Sequence, residues 1–208
     1  MRVELLSVTP DAERIIESAG RTSYLSQSRK QDGSARDFIR MLIKLGHESV
    51  LEHASATFRV RGGSRAFTHQ LVRHRLCSYT QQSQRHVNEA SFEYVEPNSV
   101  RTNAEAHVLF SAHINSAKET YARLQQMGIS NEDARFVLPN AVVSEIVVTA
   151  NFRQWRHVLE LRGGPEAQWE IRVFALEVLR ILKQYAPAVF EDFDVDVATG
   201  TIRKSQPG

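Results

Sequence analysis

Cysteine is nearly absent from this 208-residue chain: the single Cys77 excludes an internal disulfide and leaves no set of thiolates for a metal site. Long hydrophobic runs are missing as well. No stretch approaches the ~20 apolar residues that cross a bilayer, and the opening Met1-Arg2-Val3-Glu4 lacks a signal-peptide pattern. These absences predict a soluble, cytoplasmic protein with no membrane partner. Net charge is small, +2 at pH 7, which argues against a nucleic-acid coat and disfavours an arginine-rich nucleic-acid module. Neither internal repeats nor a linker break the chain, and 42% of it is apolar. The expectation is one catalytic α/β domain over residues 1–208, a mixed sheet flanked by long helices, ending in a frayed polar tail from about 199.

One local absence is more informative. Between His53 and Asn88 there is no Asp, Glu or Lys, yet that stretch holds six arginines: Arg59, Arg61, Arg65, Arg73, Arg75 and Arg85. Arginine used to the exclusion of lysine suits planar, forked donation to an anion better than a solvated positive face. Without acids nearby in sequence, an anion site is the economical reading.

Periodicity predicts strands over residues 2–8, 54–60 and 142–149. Helices are predicted from Asp11 to Ala19; from Ala35 to Leu45, with Phe38, Met41, Leu42 and Leu45 on one face and Gly46 as the cap; and from Ser64 to about Leu76. Further helices are expected over 102–127, where Phe110, Ile114, Ala117, Tyr121 and Leu124 recur, over 131–136 and 151–162, and from Pro165 to before Pro187. Trp155 and Trp169 read as packing residues. Gly62-Gly63 breaks the second strand and lacks the surrounding glycines of a dinucleotide fingerprint.

The chemistry concentrates in residues 70–85. If this helix runs on, Gln70, Arg73, His74 and Cys77 share a face. The polar segment after it offers hydroxyl, backbone and guanidinium donors from Ser83, Gln84 and Arg85, a combination suited to a phosphate and a polar heterocycle. Spacing alone fits an exposed arginine-rich helix followed by a solvated loop equally well.

Arg73-His74-Arg75, seven intervening residues and Ser83 resemble the signature of the flavin-dependent thymidylate synthases. The longer block Arg-His-Arg-x-x-Ser-Tyr-x-Gln-x-Ser-x-Arg adds specificity. Further matches follow in order: Gly46-His47-Glu48-Ser49 with Leu51-Glu52-His53, Ala134-Arg135 with Leu138-Pro139, Asn151-Phe152-Arg153, and Leu161-Arg162 with Ala167-Gln168-Trp169-Glu170. The resemblance implies reductive methylation of dUMP to dTMP, with FAD as cofactor and 5,10-methylenetetrahydrofolate and NADPH as co-substrates. By similarity, Gln70, Arg73, Gln82, Ser83, Gln84, Arg85, Arg135 and Arg162 contact dUMP. His47, Ser49, Arg73, His74, Arg75, Gln81, Asn151, Arg153 and His157 form the FAD site. It also implies a homotetramer whose subunits share active sites. A related enzyme acting on another uracil nucleotide stays compatible with the same residues. His86, His157 and Glu166 depart from the family pattern, which has tyrosine, asparagine and histidine there in many members.

Methylation at C5 requires that carbon to become nucleophilic. One route adds a thiolate at C6, and Cys77 is the sole candidate, better read as a small packed residue. The other polarises the ring with a fixed cation, and the resemblance gives that role to Arg162, always charged and able to aim two donors at the base. His47 and His53 lack acidic or cysteine partners at ligand spacing, so no metal is expected; His53 reads as structural.

Overall fold

The structure is a computed structural model that describes residues 1–205 and has the expected α/β class. Its elements in chain order are β1 (Arg2–Val8), α1 (Ala12–Thr22), α2 (Ser34–Lys44), β2 (Ser55–Ser64), α3 (Arg65–Leu71), β3 (Ser78–Gln81), α4 (Asn98–Arg101) and α5 (Ala104–Gln126). They continue with α6 (Asn131–Ala134), β4 (Val143–Asn151), α7 (Phe152–Gly163), α8 (Trp169–Tyr185), α9 (Pro187–Phe190), β5 (Phe193–Asp196) and β6 (Thr201–Lys204). Four strands pair in the order β1-β2-β4-β3, while β5 and β6 form a separate antiparallel pair. The chain clusters into two compact units: one comprises Met1–Arg2, Val60–Gln70 and Thr80–Ile146, the other Val3–Arg59, Leu71–Tyr79 and the chain from Val147 onward. The divisions fall inside β1, β2, α3, β3 and β4 rather than in a linker.

In the unit that carries α7 and α8, strand alternation buries Ala56 and Phe58 of β2 and Val148 and Ala150 of β4, while Thr57 and Thr149 bond through their hydroxyls at 2.9 Å. Trp155 stands fully buried on α7, edge-on to Phe58 at 5.1 Å, with its indole N–H donating to the Ala56 carbonyl at 3.1 Å. Burying each such aromatic contributes on the order of 2–3 kcal/mol. Arg156, only 1% exposed, is held by both oxygens of Asp192 at 2.7 and 2.6 Å and donates to the Val189 carbonyl, so α7, α9 and the start of β5 share one buried charge. The smaller unit packs Phe92, Ile114, Ala117 and Val142 as a core against α5, the face its periodicity predicts.

Several boundaries differ from the sequence-based expectations. α3 ends at Leu71, not near Leu76, because the Tyr79 hydroxyl donates to the carbonyls of Leu71 (2.7 Å) and His74 (3.1 Å) and the chain turns into β3. Arg73, His74 and Cys77 therefore lie on a turn and not on one helical face. β2 runs through Gly62-Gly63 to Ser64, whose Oγ does cap α3 by accepting from the Phe67 amide at 3.0 Å.

α8 opens at Trp169 rather than Pro165, since the Gln168 side chain accepts from the amides of Glu170 and Ile171 (2.9 and 3.3 Å). Trp169 is 40% exposed and so is no core residue, unlike Trp155. On α2 the buried positions are Ala35, Ile39 and Leu42, with Met41 and Leu45 facing outward, although Gly46 ends the helix as expected: at φ 71° it lets the His47 amide reach the Leu42 carbonyl at 2.8 Å. The predicted frayed tail is instead β6, with Thr201 and Ile202 buried; residues 206–208 lie outside the described part. A Cβ on Gly163 would meet Ile202 at 2.5 Å, so this glycine at the end of α7 makes room for β6.

Candidate active site

The most specific contact in the larger unit joins two residues far apart in sequence. Arg162, in the last turn of α7, donates from Nε to Nε2 of His74 at 2.9 Å. His74 is buried, and its ring meets that of His157 edge-on at 5.8 Å. Accepting at Nε2 requires the neutral imidazole. Burial first, then the Arg162 and His157 charges, lower the His74 pKa from 6.5 to about 4. The bond through Nε leaves the two terminal nitrogens of Arg162 to address a ligand.

The same unit holds a cavity of about 550 Å³ whose lining includes Asn151, Arg153 and His157, three of the expected FAD residues, with Arg156, Lys204 and Leu76 and the carboxylates of Glu48, Glu52 and Glu160. The side chain of Asn151 caps α7 by accepting from the Gln154 amide at 2.8 Å. Arg153 pairs with Glu52 at 2.6 Å on the surface. Arg153 and His157, four residues apart on α7, thus form part of the wall of a cavity. Arg73 and Arg75 are exposed on the turn before β3, while His47 and Ser49 are exposed around the start of the segment Glu48–His53. His53 is exposed too. The donor set fits a flavin nucleotide: guanidinium groups for a diphosphate, and amide and imidazole groups for a polar ring.

Cys77 sits in this unit with its side chain buried, and burial pushes its thiol pKa up despite hydrogen bonds with Tyr79 and Gln154. A thiol so placed is a poor nucleophile.

The smaller unit gathers most of the expected dUMP residues. β3 ends at Gln81, whose amide donates to the hydroxyls of Thr68 (2.9 Å) and Ser144 (3.0 Å), so this predicted FAD residue lies with the nucleotide set and spends its donors internally. Ser83, Gln84 and Arg85 follow in a turn, in which the Arg85 amide donates to Ser83 Oγ at 3.3 Å. Glu132 brings two predicted residues together: its carboxylate pairs with Arg85 at 2.9 Å and its carbonyl accepts from Arg135 Nε at 3.0 Å. Gln70, near the end of α3, donates to the Ala66 carbonyl at 3.4 Å. Gln82 is held by Glu89 and the backbone of Glu145.

Sequence reasoning missed Glu132, Glu89 and Tyr79. Glu132 carried a usable signal, three residues before Arg135 on a helical turn. Glu89 carried none, because its partner and its burial arise only from folding.

Residues 4–188 match the family described as Thymidylate synthase complementing protein. The chain is 43% identical over 208 residues to the flavin-dependent thymidylate synthase of Geobacter sulfurreducens, covering 96% of this chain and 90% of that one. It is 38% identical over 239 residues to the enzyme of the same name from Mycolicibacterium gilvum, covering 100% and 96%. The Mycobacterium tuberculosis enzyme is 40% identical over 220 residues, covering 96% and 88%. With a family match across nearly all of its length and relatives above 30% identity, this chain belongs to the thymidylate synthase complementing protein family.

Proposed function

We propose that the protein is a flavin-dependent thymidylate synthase, converting dUMP to dTMP without a cysteine nucleophile. The observation that carries the reading is the pairing of Arg162 with a neutral, buried His74 in a unit whose one thiol is buried and held protonated. Arg162 stays charged, and the His74 contact fixes its plane. Its terminal nitrogens stabilise negative charge on the uracil as N3 ionises, which makes C5 nucleophilic. Ser83, Gln84 and Arg85, with Arg135 beside them, bind the nucleotide's phosphate end. The Arg85–Glu132 pair is exposed, so exchanging a carboxylate for a phosphate there costs little.

His47, Ser49, Arg73, His74, Arg75, Asn151, Arg153 and His157 hold FAD, with Gln81 nearby in sequence, and the bound flavin supplies the hydride. Methylenetetrahydrofolate supplies the carbon and NADPH the reducing equivalents. A homotetramer with active sites shared between subunits accounts for site residues that lie on separate segments, and a cytoplasmic location fits this chemistry.

The test is an absorption spectrum of the purified protein with added FAD. An oxidised-flavin spectrum that shifts on adding dUMP, less so with UMP, and bleaches with NADPH supports the reading; no flavin binding contradicts it.

A further inference from the structure

Glu89 is a carboxylate that neither catalysis nor charge pairing on the surface accounts for. It is 5% exposed and belongs to the unit that carries Ser83, Gln84 and Arg85. Its Oε1 accepts from Gln82 Nε2 at 2.9 Å across seven residues of sequence. The other end of that amide is occupied as well: Gln82 Oε1 accepts from the Glu145 amide at 3.3 Å, and the Gln82 amide donates to the Glu145 carbonyl at 2.8 Å. Gln82 thus extends the pairing of the sheet by one residue, using its own side chain as the second strand's acceptor.

Glu89 is anchored in turn. Its backbone amide donates to the Tyr121 hydroxyl on α5 at 3.3 Å, and its carbonyl accepts from the amide of Phe92, a core residue, at 3.1 Å. Between the two anchors the Ser83 carbonyl accepts from the amides of His86 (3.2 Å) and Val87 (2.9 Å), turning the chain so that Gln84 and Arg85 form its crown. Burial raises the Glu89 pKa, while the Gln82 hydrogen bond and the Arg65 charge act the other way.

We propose that Gln82 and Glu89 form a clasp closing the base of the 83–88 turn, making both positioning residues for the phosphate-binding groups and removing Gln82 from the nucleotide contacts. The inference rests on the reading of Ser83, Gln84 and Arg85 as the dUMP phosphate site. The clasp needs one donor and one acceptor, and it is indifferent to which position supplies which. A direct ligand at position 82 is not.

A swap separates the two. Gln82→Glu sets two carboxylates against each other and is expected to raise KM for dUMP about tenfold while kcat stays within about twofold. Glu89→Gln keeps an amide oxygen facing Gln82 and stays within about twofold of wild type on both constants. The double variant Gln82→Glu/Glu89→Gln restores the pair with its ends exchanged and returns KM to within about threefold of wild type. FAD uptake, followed by its absorbance, stays unchanged in all three. A double variant that keeps the full defect of Gln82→Glu, or single effects that multiply, would overturn the clasp and return Gln82 to the nucleotide. A fall in kcat at constant KM would overturn it too. Wild-type protein that binds no dUMP would instead remove the phosphate-site reading beneath it, and the clasp with it.

Discussion

Acid should unfold this protein partly through His74. Its imidazole is buried against the Arg162 guanidinium, and its pKa falls from 6.5 to about 4 on folding. Between those values the unfolded chain binds a proton that the folded chain refuses. Stability from this group is therefore complete above the unfolded value and is lost as pH falls through 6.5 towards 4. Linkage gives a loss of about 1.8 kcal/mol between pH 7 and pH 5 from the His74 shift alone. Other groups titrate in the same window, so the assay must isolate this one. His74→Gln supplies an oxygen that accepts from Arg162 Nε but cannot titrate. Urea unfolding of wild type and variant, at one protein concentration and without added ligand, gives the stability change for each. Wild type should lose about 1.8 kcal/mol more than the variant on going from pH 7 to pH 5. Equal losses would refute the neutral, buried imidazole.

Two further predictions concern packing. Gly163→Ala places a methyl 2.5 Å from Ile202 and should destabilise the protein by about 1–3 kcal/mol, with Ile202→Ala in the same chain recovering part of the loss in a thermal melt. Cys77, buried with its thiol pKa raised, should react with iodoacetamide at pH 8 at least about tenfold more slowly in folded than in urea-unfolded protein; equal rates would contradict its burial.

Long periodic segments were legible in the sequence. Ile114, Ala117 and Tyr121 announce α5, and the β-branched run after Val142 announces β4. Gly46 and Gly128, both at positive φ, end their helices where their position says they should. What failed depended on partners distant in the chain. Nothing local stops α3 at Leu71; the Tyr79 hydroxyl does, from β3. Residues 201–204 look frayed until β5 pairs with them and Gly163 opens a space for Ile202. Met41 and Leu45 satisfy a helical stripe, but Ile39 and Ala35 point to the core, so the stripe was placed one step around α2.

The site shows the same division. The motif located Arg73, His74, Ser83, Arg85, Arg135 and Arg162 by type. It could not reveal that His74 accepts from Arg162, or that Glu132 meets both Arg85 and Arg135, because such contacts join segments the sequence keeps apart.

In the proposed reaction a fixed arginine, not a thiolate, activates the uracil. The direct measurement is dTMP formation from dUMP, methylenetetrahydrofolate, FAD and NADPH by wild type, Cys77→Ala and Arg162→Ala. Cys77→Ala should keep its turnover within about twofold, and Arg162→Ala should lose on the order of 10²–10³ of it while still taking up FAD. An inactive Cys77→Ala beside an active Arg162→Ala would contradict the account.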